Sequence, residues 1–120
     1  MKTIAKFGIG LCLTTALSFA TTYRGQLMDA SCYNQNASNR GEKIWVRCAP
    51  TQSTTSFAIH TRQGIRMLDA SGNDKARAAF QSGALNRDKN TDMPVVISGA
   101  RHGKTIAVDH IRARASTNTR

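Results

Sequence analysis

A chain of 120 residues has room for one domain with a modest hydrophobic core, so we expect a single domain in it. Its formal net charge is +10 at pH 7, and 11 of its 17 basic residues are arginine. Such a surface attracts polyanions, for example nucleic acid, anionic lipid head groups or acidic polysaccharide. The arginines are scattered and form no basic block, so a charge that serves only solubility is the alternative.

Residues 1–20 have the pattern of a secretory signal. Two lysines precede an apolar run of 14 residues, 7–20, which ends with small residues at positions 18 and 20. A membrane anchor is the alternative, but a spanning helix needs about 20 apolar residues. Cys12 lies inside this segment and is expected to leave with it. We therefore expect a secreted or periplasmic protein that begins at residue 21 and has no transmembrane segment.

Two cysteines, Cys32 and Cys48, remain after the signal. An even pair in an exported protein most simply forms a disulfide. Closing a loop of this length contributes about 3 kcal/mol to stability in the chain-entropy estimate. Redox sites usually carry closely spaced cysteines, as in Cys-x-x-Cys, and that spacing is absent. The sequence therefore predicts a structural bridge at the end of the first strand, with a redox or metal role as the alternative.

The remaining elements follow from alternation and turn chemistry. The sequence predicts a strand at 22–30, then a polar segment at 31–54 with a short helical turn or strand at 42–48. A hairpin of strands 56–61 and 65–70 follows, and then a helix that Ser71 or Asn73 caps and Gly83 ends. The last elements are strands at 93–100 and 105–115 and a flexible tail at 115–120. Gly25 indicates a bend or bulge in the first strand. The apolar period of the last strand slips, which predicts a bulge near Asp109 and His110.

Five strands with one helix between the third and fourth give the order of an OB-fold. We therefore predict a mainly β protein, a small five-stranded OB-like barrel over residues 21–114. An SH3-like or other small barrel is the alternative.

The segments "GQLMDASC", "CAPT", "PVVISGA" and "KTIAVDHI" give the chain a family resemblance. They resemble small exported bacterial OB-like proteins of unknown function with a Gly-x-Leu-x-Asp-x-x-Cys opening, and more distantly the bacterial periplasmic OB-fold group. The resemblance implies the fold and no activity. Extra cysteines near the second one are frequent in that group, and only Cys48 is present here.

A binding face is the first functional hypothesis. OB barrels bind oligonucleotides and oligosaccharides on strands two and three and the flanking loops. The candidate ligand-binding residues are His60, Arg62 and Arg66, with Tyr33 and Trp45 on the preceding loop. Trp45 has an alternative role as a cover of the barrel beside the disulfide. The predicted partner is an anionic polymer, a carbohydrate or a protein in the cell envelope, and export disfavours intracellular nucleic acid.

A small secreted metal-dependent hydrolase, such as a nuclease, is the second hypothesis. Asp29, Asp69 and Asp109 lie near strand ends, which can converge in a barrel. The alternative is that these aspartates end strands and pair with arginines on the surface. His60 and the Asp109-His110 pair lack the spacing of zinc ligands, so we predict no metal, cofactor or catalytic residue. The third hypothesis is a structural or stress-related envelope protein.

Overall fold

The computed structural model describes residues 20–36, 38, 41, 43–85 and 92–114. Almost all of the expected signal, and the expected tail at 115–120, lie outside this part of the chain. The elements are β1 Thr21–Asp29, α1 Ala30–Gln35, α2 Ile44–Arg47, β2 Phe57–Thr61, β3 Gly64–Leu68, α3 Ala70–Gln81, β4 Pro94–His102 and β5 Thr105–Ala113. Within the described residues, no helix is long and apolar enough to cross a membrane.

The five strands close into a barrel in the order β1-β2-β3-β5-β4. Among the strands of the described residues, β3 and β5 pair in parallel, and the other four pairs are antiparallel. In the chain, α3 lies between β3 and β4, and it packs mainly against β5. This arrangement confirms the predicted OB-like barrel.

Alternation along the strands divides the apolar residues between two clusters. Leu27, Phe57 and Ile59 are buried inside the barrel with Ile97 and Ile106. The residues that alternate with them point outward. Among these, Met28 and Ala58 form a second buried cluster with Ala30, Ile44 and Cys48 from the segment that contains α1 and α2. This segment therefore covers the outer face of β1 and β2 near one end.

The bulge predicted in the last strand is confirmed, whereas at Gly25 the register of β1 with β4 shows no bulge and the structure shows a close backbone approach instead. A Cβ atom on Gly25 would lie 2.0 Å from the carbonyl oxygen of His60, so β1 passes too close to β2 for any side chain at this position. In the β4–β5 register, Ser98 pairs with His110 and Gly99 pairs with Val108. Asp109 is thus the extra residue of the predicted bulge.

The cap of α3 differs from the prediction. Asp69, not Ser71 or Asn73, is the N-cap, and its Oδ1 accepts hydrogen bonds from the backbone N–H groups of Gly72 at 2.8 Å and Val108 at 3.3 Å. Asn73 instead accepts a hydrogen bond from the backbone N–H of Phe57 at 2.9 Å. The predicted end is confirmed, since Gly83 follows the helix with a φ of +82°.

The predicted disulfide joins α1 to the end of α2. Cys32 and Cys48 are bonded, with Cα atoms 5.4 Å apart. Residues 44–47 form a helical turn, one of the two alternatives that the sequence left open. The polar segment also contains α1, a six-residue helix that the sequence did not predict.

Candidate functional site

The α1–α2 segment is fixed to the barrel through Asp29 and the disulfide. The Asp29 carboxylate accepts hydrogen bonds from the backbone N–H of Cys32 at 3.0 Å and from the Thr54 hydroxyl at 2.7 Å. The backbone N–H of Asp29 donates to the carbonyl oxygen of Cys48 at 2.7 Å. These bonds hold α2 against the outside of the barrel, where the side chain of Trp45 in α2 contacts His60 in β2.

Trp45 lies against His60 on the outer face of β2. The two ring centroids are 4.6 Å apart, and the ring planes are tilted by 42°. The indole Nε1 donates a hydrogen bond to Oδ1 of Asp92 at 3.1 Å, which fixes the orientation of the ring. Trp45 also packs against the second apolar cluster, beside Cys48. It therefore covers the barrel next to the disulfide and keeps one side on the surface.

Three adjoining pockets form a groove around this pair. The first, of about 570 Å³, is lined by Tyr33, Lys43, Trp45, His60 and Ile65 among others. The second, of about 590 Å³, shares Trp45 and His60 with the first and adds Arg24, Gln26, Arg62 and Arg114. The third, of about 430 Å³, shares Arg24 and Thr61 with the second and adds Tyr23, Arg66 and Arg101. We call the three together the basic groove, and the third the barrel-end pocket.

The basic groove brings together cations that are far apart in the sequence. The side chains that line it include Lys43, Arg24, Arg62, Arg66, Arg101 and Arg114. Among the described residues, no aspartate or glutamate lines any of the three pockets. A concave surface with charge of one sign focuses the electrostatic field and concentrates counter-ions. Five of the eleven arginines, scattered in the sequence, therefore lie along one positive surface in the fold.

The predicted site residues line this groove from both faces of the sheet. Tyr33, Trp45 and His60 line the first pocket, and Arg62 lines the second. Arg66 belongs to the barrel-end pocket instead. It pairs across strands with the core residue Ile59, so it lies on the inner side of the sheet, whereas His60 lies on the outer side.

Sequence reasoning missed four cations of the groove: Arg24, Lys43, Arg101 and Arg114. The position of Arg24 could have been predicted from the sequence. Strand alternation places its side chain on the face opposite to that of the inward-facing Gly25, and an OB barrel pairs this strand with β2. Arg101 and Arg114 lie on or next to the β4–β5 pair. These two arginines lie near β1 and β2 because the barrel closes, and no local sequence pattern indicates that closure.

The aspartates of the hydrolase hypothesis do not form a cluster that a metal ion needs. Asp29 and Asp69 cap α1 and α3. Asp109 is exposed at the bulge of β5. Within the described part of the chain, no three His, Cys, Asp or Glu side chains are grouped closely enough to hold a metal ion.

Comparison of the chain with protein-family models, curated proteins and solved structures gave no significant match. The groove itself is therefore the basis for a function, and the resemblance to exported OB-like proteins stays a prediction.

Proposed function

We propose that this protein is an exported binding module for an anionic polysaccharide of the cell envelope, and that the basic groove holds the polymer. The observation that carries the proposal is the groove itself: six cationic residues, three on strands β1, β3 and β4 and three in segments outside the strands, with no acidic residue among its described lining. Guanidinium groups suit carboxylate, sulfate and phosphate oxygens because their donors form a planar fork.

The middle of the groove offers polar and aromatic groups in addition to charge. Trp45 and His60 present ring surfaces between the first and second pockets. Gln26 lines the second pocket, and its Oε1 is buried without a hydrogen-bond partner among the described residues. A buried acceptor without a partner is costly, and a rotation of the Gln26 amide toward the pocket would let a sugar hydroxyl satisfy it. These groups favour a hydroxyl-rich polymer over a polymer that is held by charge alone.

Export is the second support for an envelope ligand. The signal-like pattern of residues 1–20 predicts that the chain leaves the cytosol. The Cys32–Cys48 bridge is the state that cysteines reach in an oxidising compartment. An anionic glycan is a polymer that such a protein meets there.

The test compares two variants with the same change in net charge. Arg24→Glu/Arg62→Glu places two acids in the basic groove, whereas Lys75→Glu/Arg77→Glu places them on α3. All four side chains are exposed, so neither variant is expected to unfold the protein. Retention on heparin, a sulfated polysaccharide, is measured with a rising NaCl gradient, after circular dichroism has shown that both variants are folded.

The groove variant is expected to elute below physiological salt, and the α3 variant close to the wild-type position. Equal shifts in both variants would show that only net charge matters, and would favour the solubility alternative. The same measurement with single-stranded DNA gives a second comparison. Tighter binding of DNA than of heparin through the same arginines would contradict the polysaccharide assignment.

A further inference from the structure

The lining of the barrel-end pocket combines inner-side residues of four strands, namely Tyr23, Thr61, Arg66 and Arg101, with Thr22 and Arg24 from the outer side of β1. Tyr23, Arg66 and Arg101 pair across strands with Ile97, Ile59 and Ile106, all of which are buried in the barrel core. Paired residues share a face of the sheet, so these three side chains cover the core from one end. Tyr23 packs against the core and lines the pocket.

Three arginine residues line this pocket. Arg66 is half-buried, whereas Arg24 and Arg101 are exposed at its edge. No aspartate or glutamate of the described chain shares the lining. The described carboxylates of Asp29 and Asp69 cap helices, so neither is available to neutralise the three arginines.

The hydrogen bonds of Arg66 are incomplete. Its Nη1 donates to the carbonyl oxygen of Ile65 at 3.0 Å, whereas its Nε is buried and has no partner among the described residues. A guanidinium has five N–H donors, and a buried donor without an acceptor carries the cost of its desolvation. If Arg66 moved slightly toward an acceptor in the pocket, its Nε would therefore lose no hydrogen bond and would gain one.

The strand around Arg66 is held firmly. The Thr61 hydroxyl donates to the carbonyl oxygen of Gly64 at 2.7 Å and accepts from the backbone N–H of Gln63 at 3.1 Å, which fixes the β2–β3 turn. Thr61 is only 6% exposed and lines the same pocket. The backbone that carries Arg66 is thus ordered before any ligand arrives, which lowers the entropy cost of binding.

From these observations we infer that the barrel-end pocket is an oxyanion subsite, which binds one phosphate or sulfate ester group at an end or branch of the polymer. The inference rests on the proposed function and deepens it. A phosphate or sulfate group presents three free oxygens, one for each arginine, and the side of a guanidinium binds two of them through Nε and an Nη. A carboxylate has only two oxygens and leaves one of the three arginines without a partner.

The experiment uses the oxidised protein with inorganic phosphate and inorganic sulfate as probes, and acetate as the carboxylate comparison. Binding is measured by calorimetry, and the Nε–Hε signal of Arg66 is followed by ¹⁵N nuclear magnetic resonance. Arg66→Lys keeps the charge and removes the fork, and Arg101→Gln removes a second member of the pocket. Arg77→Gln and Arg112→Gln are controls, since Arg77 is exposed on α3 and Arg112 is exposed on β5.

Phosphate and sulfate are expected to bind more tightly than acetate and to shift the Arg66 Nε–Hε signal. Loss of a charge-assisted hydrogen bond weakens binding by about tenfold or more, and this is the effect expected for Arg66→Lys and Arg101→Gln. The two controls are expected to bind as the wild type does. Wild-type phosphate affinity in Arg66→Lys, or an unmoved Nε–Hε signal, would overturn the subsite.

The two proposals fail in different ways. Strong heparin retention without phosphate or sulfate binding would overturn the subsite and leave the groove function in place. Phosphate binding that depends on Arg66, together with heparin retention that the Arg24→Glu/Arg62→Glu variant does not change, would support the subsite and overturn the groove.

Discussion

At Gly25, one backbone carbonyl determines which residue the chain can use. A Cβ would lie 2.0 Å from the oxygen of His60, far inside van der Waals contact. We expect Gly25→Ala to lower the free energy of unfolding by about 3 kcal/mol, the upper part of the usual range for overpacking. Gly25 also lines the second pocket, so the forced separation of β1 from β2 is expected to weaken heparin binding.

Urea denaturation checks this prediction, with Gly41→Ala as the matched control. A Cβ on Gly41 meets no atom of the described residues within 4 Å, and its φ is not in the left-handed region. The control is expected to unfold at the wild-type midpoint. A Gly25→Ala protein of wild-type stability would mean that β1 and β2 are farther apart than the structure shows.

The aspartates at strand ends show why residue type alone could not distinguish metal binding from helix capping. A carboxylate at the end of a strand can bind a metal ion or cap a following helix, since both roles need only an exposed acceptor. The partners decide between them. Asp29 is engaged by Cys32 and Thr54, and Asp69 by Gly72 and Val108.

At the scale of elements, the disulfide carries much of the order of the α1–α2 segment. α1 has six residues and α2 has four, so neither is stable by itself. We expect Cys32→Ala/Cys48→Ala to lower the free energy of unfolding by about 3 kcal/mol, the entropy of closing a loop of this length. Alanine replaces the buried Cys48 without leaving an unpaired polar group.

The measurement is urea denaturation, followed by the fluorescence of Trp45 and, separately, by circular dichroism of the barrel. Reductant is expected to lower the stability of the wild type to that of the variant and to leave the variant unchanged. If the double alanine variant were as stable as the oxidised protein, the bridge would not be what holds α2 on the barrel.

The helices of this segment were also the elements that sequence patterns predicted least well. A six-residue helix has fewer than two turns, so no apolar period can distinguish it from a loop. The strands and α3 are longer or lie within a hairpin pattern, and their places along the chain were predicted correctly. The error at α3 concerned only its cap, where Asp69, Ser71 and Asn73 are all suitable residue types.

For the whole molecule, salt dependence reports how many cations meet the polymer. Trp45 is the only tryptophan of the chain and lies between two pockets of the groove, so its fluorescence is expected to change when heparin binds. Each cation removed from contact with a polyanion lowers the magnitude of the slope of log K against log salt, where K is the association constant, by about 1. The slope for Arg24→Glu/Arg62→Glu should therefore be smaller in magnitude by about 2.

Fluorescence titrations at several NaCl concentrations measure these slopes. The Lys75→Glu/Arg77→Glu protein is expected to keep the wild-type slope, because α3 lies outside the groove. Trp45→Phe controls for signals that do not come from the groove. Equal slopes in the wild type and the groove variant would place the polymer on another surface.

The sequence by itself determined the local features of this protein. Alternation, turn residues and the slip between Val108 and Ile111 predicted the strands, the bulge and hence the OB-like order, because these signals depend on neighbours along the chain. The disulfide followed because only two cysteines remain after the expected signal. Only the tertiary structure decided which cations share a surface. Arg24, Arg66 and Arg101 meet because the barrel closes, and strand closure joins positions whose separation in sequence carries no periodic signal.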